Sequence, residues 1–349
     1  MEKQLNLFGI KTTIESDDSQ FLHVAEESLS FFKKISVKNE EIFKDTALEV
    51  TFLTSKKVSP SSVVSGFSKI GNNAFVKENE YVYFYGPFVV KMARKGKKIE
   101  ILAQYRRGMS LRKSTEDLIK NLTKRHSDYF LLIRMLILFP LFTLLEREKG
   151  IFLMHGSAVK FQGEGIIFAG LASVGKSIAA LSLTLDKNAR FLTDNFLLFN
   201  EDYIFPFPEY VRVSHDAQSL IAGVSQLGKS VLRRFKRNYY VLNDDFISSK
   251  IQPKVLFIPR LVEKADYIRK IFLETALDSL LLANDHVKEF HNYHFCGLLN
   301  YGYDSSESIY KRKIRTLECL LSKVDIYEIG IPKSLKPSDY LEGVIKNAL

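Results

Sequence analysis

The stretch that decides the fold of this chain is Gly165–Ala180, which reads GIIFAGLASVGKSIAA. Ile166, Ile167 and Phe168 predict a short buried strand, and the run Gly170–Ser177 (GLASVGKS) follows it at once. Ile178–Leu185 then supplies a helix-forming sequence. A strand, a glycine-containing loop and a helix in this order are typical of a phosphate-binding loop, and the loop matches the pattern GxxxxGKS.

Each part of the loop has a mechanical purpose. Glycines let successive backbone N–H groups turn toward phosphate oxygens, and the start of the helix adds a positive dipole end. Lys176 would reach the β- and γ-phosphates, and the hydroxyl of Ser177 would hold Mg²⁺. The predicted cofactors are therefore ATP and Mg²⁺. The predicted nucleotide-binding residues are Gly170, Ser173, Val174, Gly175, Lys176, Ser177 and Ile178.

A second match to the same pattern lies at Gly223–Ser230 (GVSQLGKS). It follows a polar stretch, SHDAQSLIA, and leads into the basic run RRFKRNYY. The pattern binds phosphate only in a strand–loop–helix context. We therefore predict a surface loop here.

Two further residues flank the first loop. Asp194 lies eighteen positions after Lys176, on a predicted strand Arg190–Phe199, where it could hold the metal or take a proton from an attacking hydroxyl. The alternative is a turn-forming Asp-Asn pair. His155 stands in a predicted hairpin arm before the loop's strand, as a structural histidine or as a charge partner of phosphate or Asp194.

Composition is that of an ordinary folded protein of 349 residues, with 46% hydrophobic and 26% charged residues. A net charge of +10 favours anionic partners, and much of it lies in Lys91–Lys98, Arg106–Lys113 and Arg233–Arg237. Such runs are more often solvated faces. The two cysteines predict no disulfide framework, and the start MEKQLNLFGIKTT shows no targeting peptide, so we expect a cytoplasmic protein.

The pattern along the chain predicts three parts. Residues 1–125 alternate β-forming residues and read as a β-rich accessory region, and residues 126–149 contain a bridging helix. Asp128–Arg147 is apolar enough to raise the alternative of a membrane span, but Arg134 interrupts it and Pro140 would kink it, so we favour a buried helix. Residues 150–349 alternate strands and helices and form the predicted α/β domain.

These residues together resemble a known family. His155-Gly156, Gly163–Gly165, the loop and Leu192-Thr193-Asp194 are similar to the C-terminal catalytic domain of HPr kinase/phosphorylase and, more closely, to the broad group of HPr-kinase-related bacterial serine kinases. FPFPEYVRV and the closing strand VDIYEIGI also resemble that group. The likeness covers about residues 150–345, and residues 1–149 resemble the looser N-terminal part of such kinases.

The resemblance implies a P-loop kinase fold similar to the nucleotide domain of phosphoenolpyruvate carboxykinase, and ATP-dependent phosphorylation of a hydroxyl. It implies Asp194 as the base, supported by His155, with Lys176 on the phosphates and Ser177 and Asp194 on Mg²⁺. This chain departs from the family at Asn195, where a second carboxylate is expected, and lacks the glycine-rich signature of the bifunctional enzymes. Both departures put the HPr substrate and the phosphorylase reaction in doubt.

Weaker patterns leave alternatives open. His286, His291, His294 and Cys296 are metal-ligand types, but their spacing fits no closed zinc pattern. RRFKRNYY interleaves cations and aromatics, but no known nucleic-acid-binding module is recognisable, so we do not expect nucleic acid as a partner. We therefore predict a kinase with an unidentified peptide, protein or small-molecule acceptor, and the sequence leaves open whether it forms a homo-oligomer. The alternatives are a nucleotide-binding regulator without transfer and a nucleic-acid-dependent ATPase.

Overall fold

The structure is a computed structural model. It describes residues 1–34, 46–70, 73–85, 88–106, 129–207, 209–214, 223–234, 237–263, 267–287, 296, 306–332 and 337–349. The described chain is mixed α/β and divides into two compact units: Met1–Lys149 with Asn292–Ile309, and Gly150–His291 with Tyr310–Leu349. The predicted basic block Arg106–Lys113 lies, beyond Arg106, outside the described residues.

The first unit contains a mixed sheet. Its strands are β1 (Glu2–Leu7), β2 (Ile10–Ser16), β3 (Ala47–Val58), β4 (Ser68–Lys69), β5 (Ala74–Lys77), β6 (Glu80–Tyr85), β7 (Phe88–Lys95) and β8 (Lys98–Arg106). They pair in the order β1-β2-β3-β8-β7-β6-β5-β4. Strands β2, β3 and β8 are parallel neighbours and the other pairs are antiparallel. In β2, side chains alternate between buried and less buried positions, as expected for a sheet covered on one face.

Helix α1 (Ser19–Lys34) follows β2 and precedes β3 in the chain. Neighbouring parallel strands need such a crossover connection. Asp18 caps the start of α1, because Oδ1 accepts the backbone N–H of Phe21 at 3.1 Å. The Tyr129 hydroxyl donates to the other oxygen of Asp18 at 2.5 Å. The rings of Phe21 and Phe52 are 4.4 Å apart and both pack against Tyr129. A short helix, α2 (Pro60–Val63), follows β3.

Helix α3 (Tyr129–Lys149) belongs by its contacts to the first unit. Within the described residues it is the one helix long and apolar enough to cross a membrane, but 94% of its most apolar stretch is buried inside the fold. The buried Arg134 guanidinium lies over the rings of Phe130 and Phe139, and the helix continues through Pro140 between two segments of π-helical geometry. Its burial agrees with the prediction of a buried helix rather than a membrane span.

The described residues of the second unit form two sheets. Its strands are β9 (Phe152–Phe161), β10 (Glu164–Ala169), β11 (Arg190–Thr193), β12 (Phe196–Phe199), β13 (Ile204–Phe205), β14 (Val211–Ser214), β15 (Gly228–Arg234), β16 (Arg237–Leu242), β17 (Pro253–Val262), β18 (Tyr267–Lys270) and β19 (Asp325–Pro332). The larger sheet has the order β13-β12-β9-β10-β17-β19-β18, with β11 also paired to β9, and the smaller has the order β14-β16-β15. Strands β10, β17 and β19 are parallel, so their carboxyl ends meet at one edge.

The helices of the second unit are α4 (Lys176–Asp186), α5 (Val224–Leu227), α6 (Leu273–Asp285), α7 (Ser306–Leu321, whose first residues belong to the first unit) and α8 (Pro337–Ala348). Helices α4 and α8 share one apolar core with one face of the larger sheet. Small buried residues of α4, Ala179 and Ala180, let that helix approach Ile166 and Phe168 of β10. The strand before the loop and the helix after it are thereby held together.

Two sequence predictions differ from the structure. The predicted strand Arg190–Phe199 is broken into β11 and β12 at Asp194 and Asn195, because Asn195 takes a left-handed backbone conformation with φ 71°. The predicted surface loop at Gly223–Ser230 is a short helix followed by the start of β15. A Cβ on Gly228 would lie 1.9 Å from the Val241 carbonyl oxygen, so this glycine permits close strand pairing with β16.

Gly165 is required by a close backbone approach where β10 meets β17. A Cβ there would lie 2.4 Å from the carbonyl oxygen of Gln252. We expect Gly165→Ala to lower the free energy of unfolding by about 2–3 kcal/mol, because backbone atoms have to shift. Urea unfolding followed by circular dichroism measures the change.

The matched control for this substitution is Gly343→Ala in α8, where a new Cβ meets nothing within 4 Å. Alanine is the better helix former, so we expect this variant to gain about 0.5–1 kcal/mol. Equal stability of Gly165→Ala and the wild type would contradict the proposed backbone clash.

Candidate active site

The loop between β10 and α4 contains three residues with positive φ angles. Gly170 and Gly175 have φ angles of 129° and 94°, which L side chains rarely adopt, and Ser173 between them also has a positive φ of 64°. Gly175 is the residue directly before α4. Alternating backbone signs of this kind turn N–H groups toward a common point, where the helix dipole adds positive potential.

Lys176 is buried, with 5% of its surface exposed. Its ammonium group donates to the carbonyl oxygen of Gly170 at 3.0 Å and to that of Leu171. Burial lowers the pKa of Lys176 to about 8, and the negative charge of Asp194 opposes that change. Within the described residues the ammonium hydrogen-bonds to neutral carbonyl groups, so a bound anion would relieve the cost of burying its charge.

Asp194 occupies the corner between β11 and β12 and is 6% exposed. Its Oδ1 accepts two serine hydroxyls, Ser177 at 2.7 Å and Ser157 at 2.6 Å. Oδ2 makes no hydrogen bond within the described part of the chain. The corner itself is held by the Thr193 hydroxyl, which hydrogen-bonds to the carbonyl oxygens of Phe196 and of Phe207, the latter at 2.9 Å.

Ser157 was not predicted from the sequence. It lies on β9 opposite Phe168 of β10 and is completely buried. Because side chains alternate along a strand, Ser157 shares a face with His155 two residues earlier. That spacing was visible in the sequence. The contact with Asp194, however, depends on the pairing of β9 with β11 and β12, which brings together residues about forty positions apart.

His155 reaches the same corner by a different contact. Its ring Nδ1 lies 3.1 Å from the backbone carbonyl oxygen of Asn195, which can only accept, so Nδ1 carries the proton. Its backbone N–H donates to Oδ1 of Asn284 on α6 at 2.7 Å. The structure therefore ties His155 to the backbone beside Asp194, whereas two serines hold the carboxylate itself.

The remaining predicted residues lie in the loop between β10 and α4 and in the first turn of α4. Gly170, Ser173, Val174 and Gly175 form the loop, and Lys176, Ser177 and Ile178 begin α4. Ser177 and Asp194, both predicted to hold Mg²⁺, share a hydrogen bond. Sequence reasoning therefore named both the loop and the Asp194 carboxylate that contacts it, but it did not name Ser157.

The other candidate patterns do not build a second site within the described residues. His286 follows α6, whereas His291 and His294 lie outside those residues. Burial raises the pKa of the Cys296 thiol well above its usual range, so the sulfur stays protonated and is a poor metal ligand. Among these residues, His, Cys, Asp and Glu side chains form no group of three or more that could hold a metal ion.

Comparisons with known proteins add little to this geometry. No family model matches the chain, and no curated protein matches its sequence. Among solved structures, the chain is similar to the Hpr(Ser) kinase/phosphatase from Coxiella burnetii at 11% identity, with a TM-score of 0.28, over 56% of this chain and 94% of that chain. A likeness this weak carries no argument about the reaction or its residues. A function therefore has to follow from the contacts of the loop and of Asp194.

Proposed function

We propose that this chain is an ATP- and Mg²⁺-dependent kinase that transfers the γ-phosphate to a hydroxyl group, on a serine of a peptide or protein or on a small molecule. The observation that carries the proposal is the hydrogen bond from Ser177, at the start of α4, to the Asp194 carboxylate, with the buried Lys176 as the preceding residue of the same helix. These are the parts that phosphoryl transfer needs: a phosphate cradle, a cation and a carboxylate.

The loop would bind the nucleotide's phosphates. Backbone N–H groups from Gly170 to Ser177 and the amino end of α4 attract anions, and Lys176 adds a full positive charge on a side chain that burial has already ordered. The ammonium now hydrogen-bonds to loop carbonyls, and phosphate oxygens are stronger acceptors than these. The loop therefore suits a triphosphate.

The residues beside the loop fit Mg²⁺. Ser177 Oγ and Asp194 Oδ1 are hard oxygen donors 2.7 Å apart, and Mg²⁺ is usually held by one or two such protein groups together with water and phosphate oxygens. When bound, the metal would neutralise charge on the transferred group. Ser177 and Asp194 are the residues that would hold it.

Asp194 would act as the base. Since Oδ1 accepts two hydroxyls, Oδ2 is the oxygen that can take the proton of the acceptor hydroxyl. The acceptor oxygen then bonds to the γ-phosphorus, the bond to the bridging oxygen breaks, and ADP leaves. His155 supports this step by fixing the backbone at Asn195, next to the base.

Ser157 acts as a positioning residue in this proposal. We expect Ser157→Ala to lower kcat for transfer by about 10–100-fold, because the carboxylate loses one of the two bonds that orient it. The affinity for MgATP should change less than about twofold, since the loop is untouched. Ser157→Thr keeps the hydroxyl and should recover most of the rate. Steady-state kinetics separate kcat from KM.

The control for this prediction is Ser182→Ala. Ser182 is equally buried on α4, but its hydroxyl has no hydrogen-bond partner in the described structure. We expect wild-type kcat for this variant. A Ser157→Ala protein that folds and keeps the wild-type rate would show that Ser157 does not position the base.

A second candidate function is a nucleotide-binding regulator without transfer. Asn195 favours it, because an amide stands at the position next to Asp194 where the resembled kinases carry a second carboxylate. Such a protein would bind MgATP and signal its presence to a partner.

The test combines nucleotide binding with transfer in the full chain. Calorimetry with MgATP should show saturable binding, and ATP radiolabelled at the γ-phosphate should transfer its label to a hydroxyl of a component in a soluble cell extract. Phosphoserine and sugar-phosphate analysis identifies the product class. Absence of MgATP binding would refute the kinase proposal. Binding without any labelled product would favour the regulator.

A further inference from the structure

A second cluster of charged side chains lies at the carboxyl edge of the same sheet. Glu328 on β19 is buried, and its carboxylate accepts Nε of Arg260 at 2.5 Å, Nη2 of Arg269 at 2.8 Å and the hydroxyl of Tyr267 at 2.9 Å. Burial alone would raise the pKa of Glu328, but hydrogen bonds from Arg260 and Tyr267 and the two guanidinium charges outweigh it and hold the pKa below its usual value. Glu328 therefore stays ionised as an anchor.

The backbone is adapted to this cluster. Gly330 lies between Arg260 of β17 and Tyr267 of β18 in the strand register, and a Cβ there would lie 2.7 Å from the Tyr267 ring. The Tyr267 ring therefore occupies the space that a side chain at position 330 would fill. In this position its hydroxyl reaches Glu328. Burial, followed by the Glu328 contact, raises the pKa of Tyr267, so the phenol keeps its proton.

The two arginines have donors to spare. The side chains of Arg260 and Arg269 are 54% and 64% exposed, and each uses one nitrogen on Glu328. Within the described residues their remaining guanidinium N–H groups have no hydrogen-bond partner. Two guanidinium charges against one carboxylate leave one net positive charge. Pre-oriented guanidinium groups of this kind suit carboxylate or phosphate oxygens.

The cluster is close to the phosphate loop along the strand. A Cβ on Gly170 would lie 3.4 Å from the side chain of Ile258, so Ile258 is beside the loop's first residue. Arg260 is two residues further along β17, on the same face, about 7 Å beyond Ile258. Since β10 and β17 are neighbouring parallel strands, Arg260 lies beyond the end at which the loop begins, whereas Arg269 on β18 is paired with Glu328 at the level of Ile258.

We infer that Arg260 and Arg269, anchored by Glu328, bind an anionic group, carboxylate or phosphate, of the molecule that receives the phosphoryl group. The inference rests on the proposed kinase function and adds the chemical class of its acceptor: a hydroxyl compound that also carries a negative charge. Arg260 and Arg269 would hold that charge and thereby position the hydroxyl relative to Asp194.

The test follows the arginine side chains directly by Nε–Hε NMR signals of the full chain, with inorganic phosphate, acetate and chloride as probes at equal ionic strength. We expect saturable shifts of the Arg260 and Arg269 signals with phosphate, with acetate, or with both, and only small linear drifts with chloride. Apparent affinity should fall at least about tenfold in Arg269→Gln and Arg260→Gln. Arg269→Lys keeps the charge but loses the planar fork, and should give intermediate affinity.

Lys323→Gln is the matched control, because Lys323 is an exposed cation that hydrogen-bonds to Glu201 and Asp202 elsewhere in the second unit. It should leave the shifts unchanged. The probe that saturates identifies the anion: phosphate alone indicates a phosphorylated acceptor, and acetate a carboxylate-bearing one. The inference would be overturned if phosphate and acetate shift the Arg260 and Arg269 signals no more than chloride does. It would also be overturned if folded Arg269→Gln protein binds the anion as tightly as the wild type.

MgATP binding and label transfer measured on the same samples keep the two proposals separate. Transfer activity with unresponsive arginine signals would remove only the anion site. Responsive arginines without MgATP binding would leave an anion site and refute the kinase.

Discussion

Replacing Asp194 by asparagine is expected to lower the rate of phosphoryl transfer by about 10²–10⁴-fold, the usual contribution of a general base. Asparagine has the same shape, and its amide oxygen can still accept the hydroxyls of Ser157 and Ser177, so the corner between β11 and β12 should keep its geometry. The amide cannot take a proton from the acceptor. The rate is measured as initial transfer of label from ATP to the component that the wild type phosphorylates.

The control for this prediction is Asp202→Asn. Asp202 is exposed and accepts a hydrogen bond from Lys323 at 2.7 Å, so the variant removes the same charge at a surface position. We expect the wild-type rate. If Asp194→Asn transfers phosphate within about threefold of wild type, Asp194 is not the base.

Asn195→Asp distinguishes the kinase from the regulator. Both residue types tolerate the left-handed conformation with φ 71° found at this position, so the substitution should keep the backbone conformation of the corner. If the amide has silenced an ancestral kinase, a second carboxylate should raise a transfer rate that is undetectable in the wild type. An active wild type makes this variant unnecessary.

The sequence predicted the loop well because its signals are local. A buried strand, the glycines, the Lys-Ser pair and the helix follow one another without interruption in Gly165–Leu185, and the structure places them as β10, loop and α4. The second copy at Gly223–Ser230 shows the limit of such patterns. Its Gly228 allows β15 and β16 to approach closely. A sequence motif alone does not distinguish a glycine with this purpose from one in a phosphate-binding loop.

What the sequence did not predict depends on contacts between distant strands. Ser157 and Asp194 meet only because β9 pairs with both β11 and β12. Glu328 gathers Arg260 and Arg269 because β19 lies between β17 and β18, an order that sequence spacing does not encode. The sequence also allows a turn at Asp194-Asn195, and the left-handed conformation of Asn195 makes that turn compatible with the proposed role of Asp194.

Lys176→Ala should have the second large effect, a loss of MgATP affinity of about 100-fold, because a charge-assisted contact to phosphate oxygens disappears. We expect no loss of folding stability, because the wild type has to bury the Lys176 ammonium group. That burial lowers the pKa of Lys176 to about 8. Removing that group should leave the melting temperature unchanged or raise it. Fluorescence titration with a labelled ATP analogue measures the affinity, and calorimetric melting the stability.

The sequence offers a matched control for this last substitution, Lys229→Ala, which removes the corresponding lysine of the second GKS copy. Both lysines follow a glycine and precede a serine, but only Lys176 begins a helix after a buried strand, whereas Lys229 belongs to β15. If context makes a phosphate loop, Lys229→Ala binds MgATP like the wild type and Lys176→Ala does not. Equal losses would assign the affinity to general positive charge, and a loss confined to Lys229→Ala would place the nucleotide elsewhere.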